Sequence, residues 1–547
     1  MTIGPRRSNA ATQKARMRIT PISFTSKAFA PALRAGALAL LVCSAGAFAN
    51  SARASLPSTN VAWIAAASDA DVDAAFASAR AGGKPLLLYW GASWCPPCNQ
   101  PKATLFNRQD FAAQSKAFVA VHVDGDRPSA QKLGSRFKVS GYPTLVLFAP
   151  EGREITRLPG EADAPQVMAL LQAGLAGGRP LSAVLDDARA SRPLSANEWR
   201  VLAFHSWDVD ESGLVAAGDR ADVLAELAAR SPPGDSDTST RLWLKALAAS
   251  DEGKGLKPDA ALRQRVERVL ADPAASRRHM DVLVYGAAAM VKSLSGDDGI
   301  DRAALSAQFD AALLRLQNDT GLSRGDRVAA LGQRVDLARI GQPKDSIQPQ
   351  LPAPLVQTVR DTALQMDREI SDGYERQAVI TAVAYLLTQA GLWDASDALL
   401  KDNLRKSHSA YYLMSQLGSN ARKRGRNAEA LRWYAQAFEQ SVGPATRLQW
   451  GASYLSALVD LAPRDAKRIE QTAARIFDEA ARDPAALHDR SARSLQRVAG
   501  KLKSWNADGR QTAVIGRLQS RLALLCGRPD VAAPERATCS TLLPNKG

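Results

Sequence analysis

Cysteine and histidine are both scarce, with five of each in 547 residues. The histidines (His122, His205, His279, His408, His488) are scattered without ligand spacing, which argues against a histidine-built metal centre. Long apolar runs are missing too: outside the N-terminus no stretch reaches the length of a membrane span. Acids are absent from residues 1–34, which hold seven Lys or Arg. The apolar run Ala35 to Phe48 follows, short for a span but suited to a signal-peptide core. Ala47-Phe48-Ala49 then supplies a small-x-small cleavage pattern. Ala52-Arg53-Ala54 is a second cleavage candidate and Met17 an alternative start. Cys43 suits a lipoprotein poorly, because Val42 precedes it where a lipobox wants Gly, Ala or Ser. Arg6-Arg7 lies too far from the apolar core for a twin-arginine signal. The reading is an export signal over 1–49 and a linker over 50–60, with an uncleaved anchor helix as the alternative. Once the signal is cleaved, no stable membrane insertion is expected.

Removal of residues 1–49 leaves 63 bases against 55 acids, so the net charge falls from +15 to +8. That excess is spread along the chain without aromatic interleaving, which makes it a solvated surface; no nucleic acid is expected as a partner. Four cysteines remain, and an even count in an exported chain suits an oxidising compartment. What the chain does have is 46% hydrophobic and 23% charged residues, a globular composition, over a length that suggests three or four units.

From about Val61 to Leu175, strand and helix signals alternate. Asp69 to Ala81 is an acid-capped, Ala-rich helix ended by Gly82-Gly83. Pro85 to Trp90 is a buried strand, Phe118 to Val123 the next, and Ser129 to Phe137 a helix. Thr144–Phe148 and Glu154–Leu158 form a hairpin across the turn Pro150 to Arg153, and Ala164 to Leu175 closes as a helix. The order is β-α-β then β-β-α, a central sheet covered by helices, over residues 61–176. A Gly/Pro linker at 177–182 precedes an Ala/Leu/Arg-rich, all-α region over 183–525. There Met414, Leu417, Gly418 and Ala421, a turn at Gly425, then Ala430, Tyr434 and Ala437 follow the two-helix tetratricopeptide pattern, with a fainter copy at Ala384, Leu387, Gly391 and Ala395. A generic helical bundle is the alternative. The tryptophans at 199, 207, 243, 393, 433, 450 and 505 read as core packing.

The chemistry concentrates at Cys95-Pro96-Pro97-Cys98. Cys95 follows a buried strand and starts a helix, where the dipole and free N–H groups favour thiolate. Cys98 lies one turn inside. Cys95 is therefore the expected nucleophile and Cys98 the resolving thiol. Pro96 suits the first helical turn, where its missing N–H costs nothing. Gly141-Tyr142-Pro143-Thr144 precedes a strong strand, where a cis Tyr142–Pro143 bond turns the backbone toward the pair; a trans proline at the start of that strand is the alternative.

Trp90-Gly-Ala-Ser-Trp94-Cys95-Pro-Pro-Cys98 with Gly141-Tyr-Pro143-Thr144 downstream resembles a thioredoxin. Thr104-Leu-Phe106, Asp110-Phe111 and Phe118 to Asp124 resemble the periplasmic thioredoxin-like domain of bacterial transmembrane disulfide reductases. The resemblance covers about a fifth of the chain. It implies thiol–disulfide exchange in the periplasm, with Cys95 attacking, Cys98 resolving, Pro143 as the cis-proline shaping a substrate groove with Tyr142 and Thr144, and Trp94 as that groove's aromatic wall. No cofactor is implied; the implied partners are protein disulfide substrates and a membrane-embedded reductase as electron donor. Two departures stand out. Tyr89 occupies the place of the family's buried Asp, and Ala120 that of its Lys, which leaves water, Glu151 or Glu161 as replacements for the proton shuttle. Two prolines between the cysteines bring no charge and remove an N–H, which leans the pair toward a reductase or isomerase.

Other candidates have plainer readings. Structural zinc wants four ligands, and Cys526 and Cys539 stand thirteen apart in an end segment (526–547). They read as a structural disulfide worth about 3 kcal/mol, with a second redox pair as the alternative. Asp208-Val-Asp210-Glu-Ser212-Gly213 with Asp219 is a partial calcium loop lacking its closing Glu, better read as an acidic turn capping the helix from Arg220. No metal site is expected. The rival to an enzyme is a helical scaffold using the thioredoxin fold as a docking module.

Overall fold

The computed structural model describes residues 61–543 apart from 140, 159–162, 176–177, 208–213, 233, 235, 251–255, 297–298 and 530. The export signal with Met17 and Cys43, Glu161 and the acidic segment 208–213 lie outside the described residues. Helix α1 (Asp69–Gly82) begins at a capping box: the Ser68 hydroxyl accepts from the Asp71 N–H while the Asp71 carboxylate accepts from the Ser68 N–H. It ends where Gly83 turns left-handed at φ +59°. Strand β2 (Leu86–Gly91) is buried along its whole length, as a six-residue apolar run demands of a central strand covered on both faces. The remaining strands are β1 (Ile64–Ala66), β3 (Val119–Asp124), β4 (Thr144–Phe148) and β5 (Glu154–Leu158), and the sheet order is β1-β3-β2-β4-β5. β1 and β2 run parallel to β3, while β4 pairs antiparallel with both β2 and β5. Helices α2 (Pro96–Thr104), α3 (Gln109–Gln114), α4 (Ala130–Arg136) and α5 (Ala164–Leu175) complete a thioredoxin-like α/β layer. β1, three residues long, and the single-turn α3 carry too little periodicity to be read from sequence.

A large helical region follows, with nineteen α-helices among the described residues from Leu181 to Leu542. The first, Leu181–Arg189, begins inside the stretch expected as linker, because Leu181, Val184, Leu185 and Ala188 all find a buried face. The sequence motif at 414–437 falls on the helices Ala410–Lys423 and Asn427–Gln440, joined at Gly425 with φ +71°. Gly418 permits their close crossing: a Cβ there sits 3.1 Å from the Tyr434 ring. The fainter copy falls on Gly373–Gln389 and Trp393–Asn403, joined at Gly391 with φ +76°. At the end of the chain Cys526 closes the helix Thr512–Cys526, and Cys539 lies in the helix Ala533–Leu542. The two are disulfide-bonded with Cα atoms 5.6 Å apart.

The helical region folds back over the cysteine-bearing end of the sheet. One hydrophobic core runs without a break from Leu87, Tyr89, Trp94 and Cys98 through Leu145 to Tyr411, Met414, Trp450 and Leu455. Polar bonds fix the same seam. Gln377 Nε2 donates to Trp94 O at 3.0 Å, Gln100 Nε2 to Ser323 Oγ at 2.6 Å, and the Arg490 N–H to Gln131 Oε1 at 3.0 Å. Arg277 pairs with Asp163 at 2.6 Å. Among the described residues no helix is long and apolar enough to cross a membrane.

Candidate functional site

Cys95 is the N-cap of α2, and its Sγ accepts the Cys98 N–H at 3.2 Å. The cysteines form a disulfide with Cα atoms 5.2 Å apart; Cys98 is fully buried and Cys95 only 3% exposed. Pro96 and Pro97 occupy the first turn, where neither N–H is missed. Asn99, which the sequence reading passed over, is fully buried. Its Nδ2 donates to Ser93 O at 2.9 Å and Cys95 O at 2.8 Å, tying the approach loop to the helix start. No motif marks it, because its partners are backbone carbonyls.

The Tyr142–Pro143 peptide bond is cis. Pro143 and Tyr142 face Pro96 and Pro97 across a cavity of 560 Å³, whose far wall belongs to the helices Met280–Ser295, Arg324–Ala338, Gly373–Gln389 and Ala410–Lys423. Trp94 and Thr144, expected in the groove, do not line it. Thr144 is buried opposite Trp90 in the sheet, its hydroxyl donating to Gly141 O at 3.0 Å. Trp94 is 6% exposed because the helical region covers it: Tyr412 stacks on it at 5.9 Å, and Trp450 and Tyr142 meet it edge-on at 5.9 and 6.1 Å. The Arg490 guanidinium lies 5.7 Å from the Trp94 ring and 4.2 Å from that of Tyr142.

Behind the pair, Tyr89 donates its hydroxyl to Cys98 O at 3.0 Å and stacks on His122 at 5.0 Å. Burial pushes the Tyr89 phenol far up, so it is a fixed donor rather than a base at neutral pH. Burial, with Lys102 nearby, pulls His122 down to about 4, so its ring is neutral. Glu151 is no replacement for the missing shuttle acid. The register sets Phe148 opposite Leu86, at the end of β2 remote from the cysteines, and Glu151 lies beyond it, exposed beside Arg153. A carboxyl that does bond the motif is Asp126, from the turn after β3. Its Oδ2 accepts the Trp94 indole N–H at 2.7 Å and its Oδ1 the Thr446 backbone N–H at 3.1 Å. Burial raises it to about 6. The sequence reading did not single it out, since its Thr446 partner lies 320 residues away. Among the described residues no group of three His, Cys, Asp or Glu is placed to hold a metal ion.

A mixed five-stranded sheet, a helix opening on a cysteine pair and a cis-proline facing it define a thioredoxin-like domain, and residues 72–175 match the family model for the thioredoxin-like domain. The chain is 32% identical over 153 residues to thiol:disulfide interchange protein DsbD 2 of Pseudomonas aeruginosa, a match covering 25% of this chain and 26% of that protein. It is 35% identical over 112 residues to DsbD 1 of the same organism, covering 20% and 19%. With the DsbD of Pseudomonas fluorescens it shares 34% identity over 101 residues, covering 18% and 17%. The chain thus spans about a quarter or less of the length of these relatives. Within that span it carries the dithiol of a thiol–disulfide oxidoreductase.

Proposed function

We propose that this protein is an exported thiol–disulfide oxidoreductase that reduces or isomerises protein disulfides, with the helical region binding its clients. The observation that carries the reading is Cys95 at the N-cap of α2, its sulfur supported by the Cys98 N–H beside Tyr142–Pro143. In the reductive half-reaction the Cys95 thiolate attacks a client disulfide. The client S–S bond breaks as the Cys95–client bond forms, and the departing thiolate takes up a proton. The Cys98 thiolate then attacks Cys95 Sγ, releasing the second client thiol. Two electrons pass to the client, and the chain is left with the Cys95–Cys98 disulfide. Turnover then needs a dithiol donor, for which a membrane-embedded reductase is the candidate. The basic, apolar N-terminus and the second cysteine pair support an exported, periplasmic setting.

The test is the reduction potential of the Cys95–Cys98 pair, equilibrated against dithiothreitol or glutathione buffers. A value near −270 mV supports the reductase, and one near −120 mV makes it an oxidant and overturns the direction. A scaffold reading draws on one observation, the continuity of the core across redox and helical parts. A Cys95→Ser, Cys98→Ser double variant with unchanged cellular phenotype would favour it.

A further inference from the structure

The cavity beside the cysteine pair says what kind of disulfide reaches it. Its redox-side wall is Pro96, Pro97, Tyr142 and Pro143, and its helical wall carries Tyr285, Tyr385 and Tyr412, three glutamines, Asp336, and small residues such as Gly332 and Ala382. Tyr285 and Tyr385 are 57% and 59% exposed, large rings turned into a groove and not into a core. Gln416 donates through Nε2 to Thr381 O at 3.1 Å, yet its buried Oε1 has no partner.

Three physical constraints narrow the occupant. Depth is the first: Cys95 is 3% exposed and lies behind Pro96 and Pro97, which line the cavity in its place, so a sulfur on the surface of a folded protein cannot reach it. Charge is the second. Among the described residues no Lys, Arg or His lines the cavity, and the one carboxylic acid there, Asp336, is held above the usual carboxylate range by burial. Anionic low-molecular-weight thiols such as glutathione therefore find no counter-charge. Third, an apolar floor rimmed by amides and phenols suits main-chain N–H and C=O groups. At 560 Å³ the space falls within the ~300–1,000 Å³ of ordinary ligand sites, which holds a few residues of chain and no folded domain.

Resting on the proposed thiol–disulfide exchange, we infer that this groove is the client channel and takes an extended, uncharged, cysteine-bearing segment of unfolded polypeptide. Amide groups of the wall, Gln333, Gln389 and Gln416 among them, meet main-chain N–H and C=O groups of the segment, the tyrosines pack against its side chains, and its disulfide is delivered to Cys95 from the Pro143 side.

The test uses the full chain and a neutral nine-residue peptide of Gly, Ser, Ala and Leu labelled with nitrobenzoxadiazole. A serine version reads binding by anisotropy, and a version with one cysteine in a mixed disulfide reads single-turnover reduction by the pre-reduced protein. Gly332→Trp and Ala382→Trp fill the groove; a Cβ at Gly332 meets nothing within 4 Å, so that side chain is accommodated. Each weakens peptide binding at least tenfold and slows reduction similarly, after rates are normalised to each variant's own potential against dithiothreitol. Gln416→Leu weakens binding several-fold, and Leu364→Ser, exposed on the helix Ala353–Glu369, which contributes no residue to the cavity wall, changes neither. Unchanged binding and rate in folded Gly332→Trp and Ala382→Trp overturn the channel. So does equal reactivity of oxidised glutathione, or of a folded protein disulfide, with the peptide. If the wild type binds the serine peptide but exchanges with no thiol, the exchange chemistry fails while the channel stands.

Discussion

Asp126 couples the redox motif to the helical region, and its protonation is measurable as stability. The carboxyl is buried between the Trp94 indole and the Thr446 N–H, and burial lifts it from 3.8 to about 6. In the unfolded chain it titrates near the ordinary Asp value of ~3.9. The folded state therefore holds the proton more tightly, and stability falls as pH rises through the window from about 4 to about 6. At ~1.36 kcal/mol for each tenfold change in proton affinity, the carboxylate costs about 3 kcal/mol at neutral pH relative to pH 3.5. Asp126→Asn abolishes the titration. Its single carbonyl oxygen also satisfies one of the two N–H groups and sets an NH₂ against the other. The neutral-pH stabilities of wild type and Asp126→Asn therefore matter less than their difference across pH. His122 and His279, both held near 4 by burial, act with the opposite sign, since the unfolded chain binds their protons first on acidification. They are present in both proteins and cancel. Urea unfolding from pH 3.5 to 7.5 should show the wild type losing about 3 kcal/mol relative to Asp126→Asn between pH 4 and 6. A difference flat across that window refutes the buried, charge-bearing assignment of Asp126.

Three further outcomes are expected. Cys98→Ser leaves Cys95 without its resolving thiol and accumulates client mixed disulfides, visible as reducible adducts by mass spectrometry; adducts in Cys95→Ser at the same level reverse the two roles. Removing the Cys526–Cys539 bond by Cys539→Ser costs about 3 kcal/mol in chemical denaturation, from a loop of 13 residues, and leaves the Cys95–Cys98 potential unchanged. Arg241 and Asp281 form a fully buried bidentate pair under the Phe204 ring. Arg241→Met strands the carboxylate and costs roughly 3–5 kcal/mol, whereas adding Asp281→Leu recovers most of it.

The parts of this chain that were legible in its sequence are those with local causes. β2 announces itself by six buried apolar residues, β4 and β5 by a turn between two short runs, and α1 by its acidic start and its terminal glycines. The cysteine pair and the Tyr142–Pro143 element were legible as motifs. Much of what escaped at the site was set by contacts more than 250 residues apart. Trp94 reads as an open groove wall until Gln377, Tyr412, Trp450 and Arg490 are seen to bury it. Asp126 reads as a turn residue until Thr446 arrives. Glu151 is plausible as a shuttle by charge alone, and only strand register removes it.

The same covering helices bear on the direction of exchange. A thiolate at Cys95 has the α2 dipole and one N–H, from Cys98 at 3.2 Å, because Pro96 and Pro97 supply none. The Arg490 guanidinium is stacked on Trp94 and Tyr142, and among the described residues no Lys, Arg or His lines the cavity. Burial at 3% exposure adds a desolvation cost to the charged sulfur. A strong oxidant owes its potential to a stabilised reduced form, and here the stabilising groups are few while the disulfide is neutral and indifferent to burial. The helical cover is therefore expected to push the pair the way the two prolines do, toward giving electrons up, and the potential against dithiothreitol tests it. The proline pair was visible in the sequence. The desolvation is imposed by residues some three hundred positions downstream.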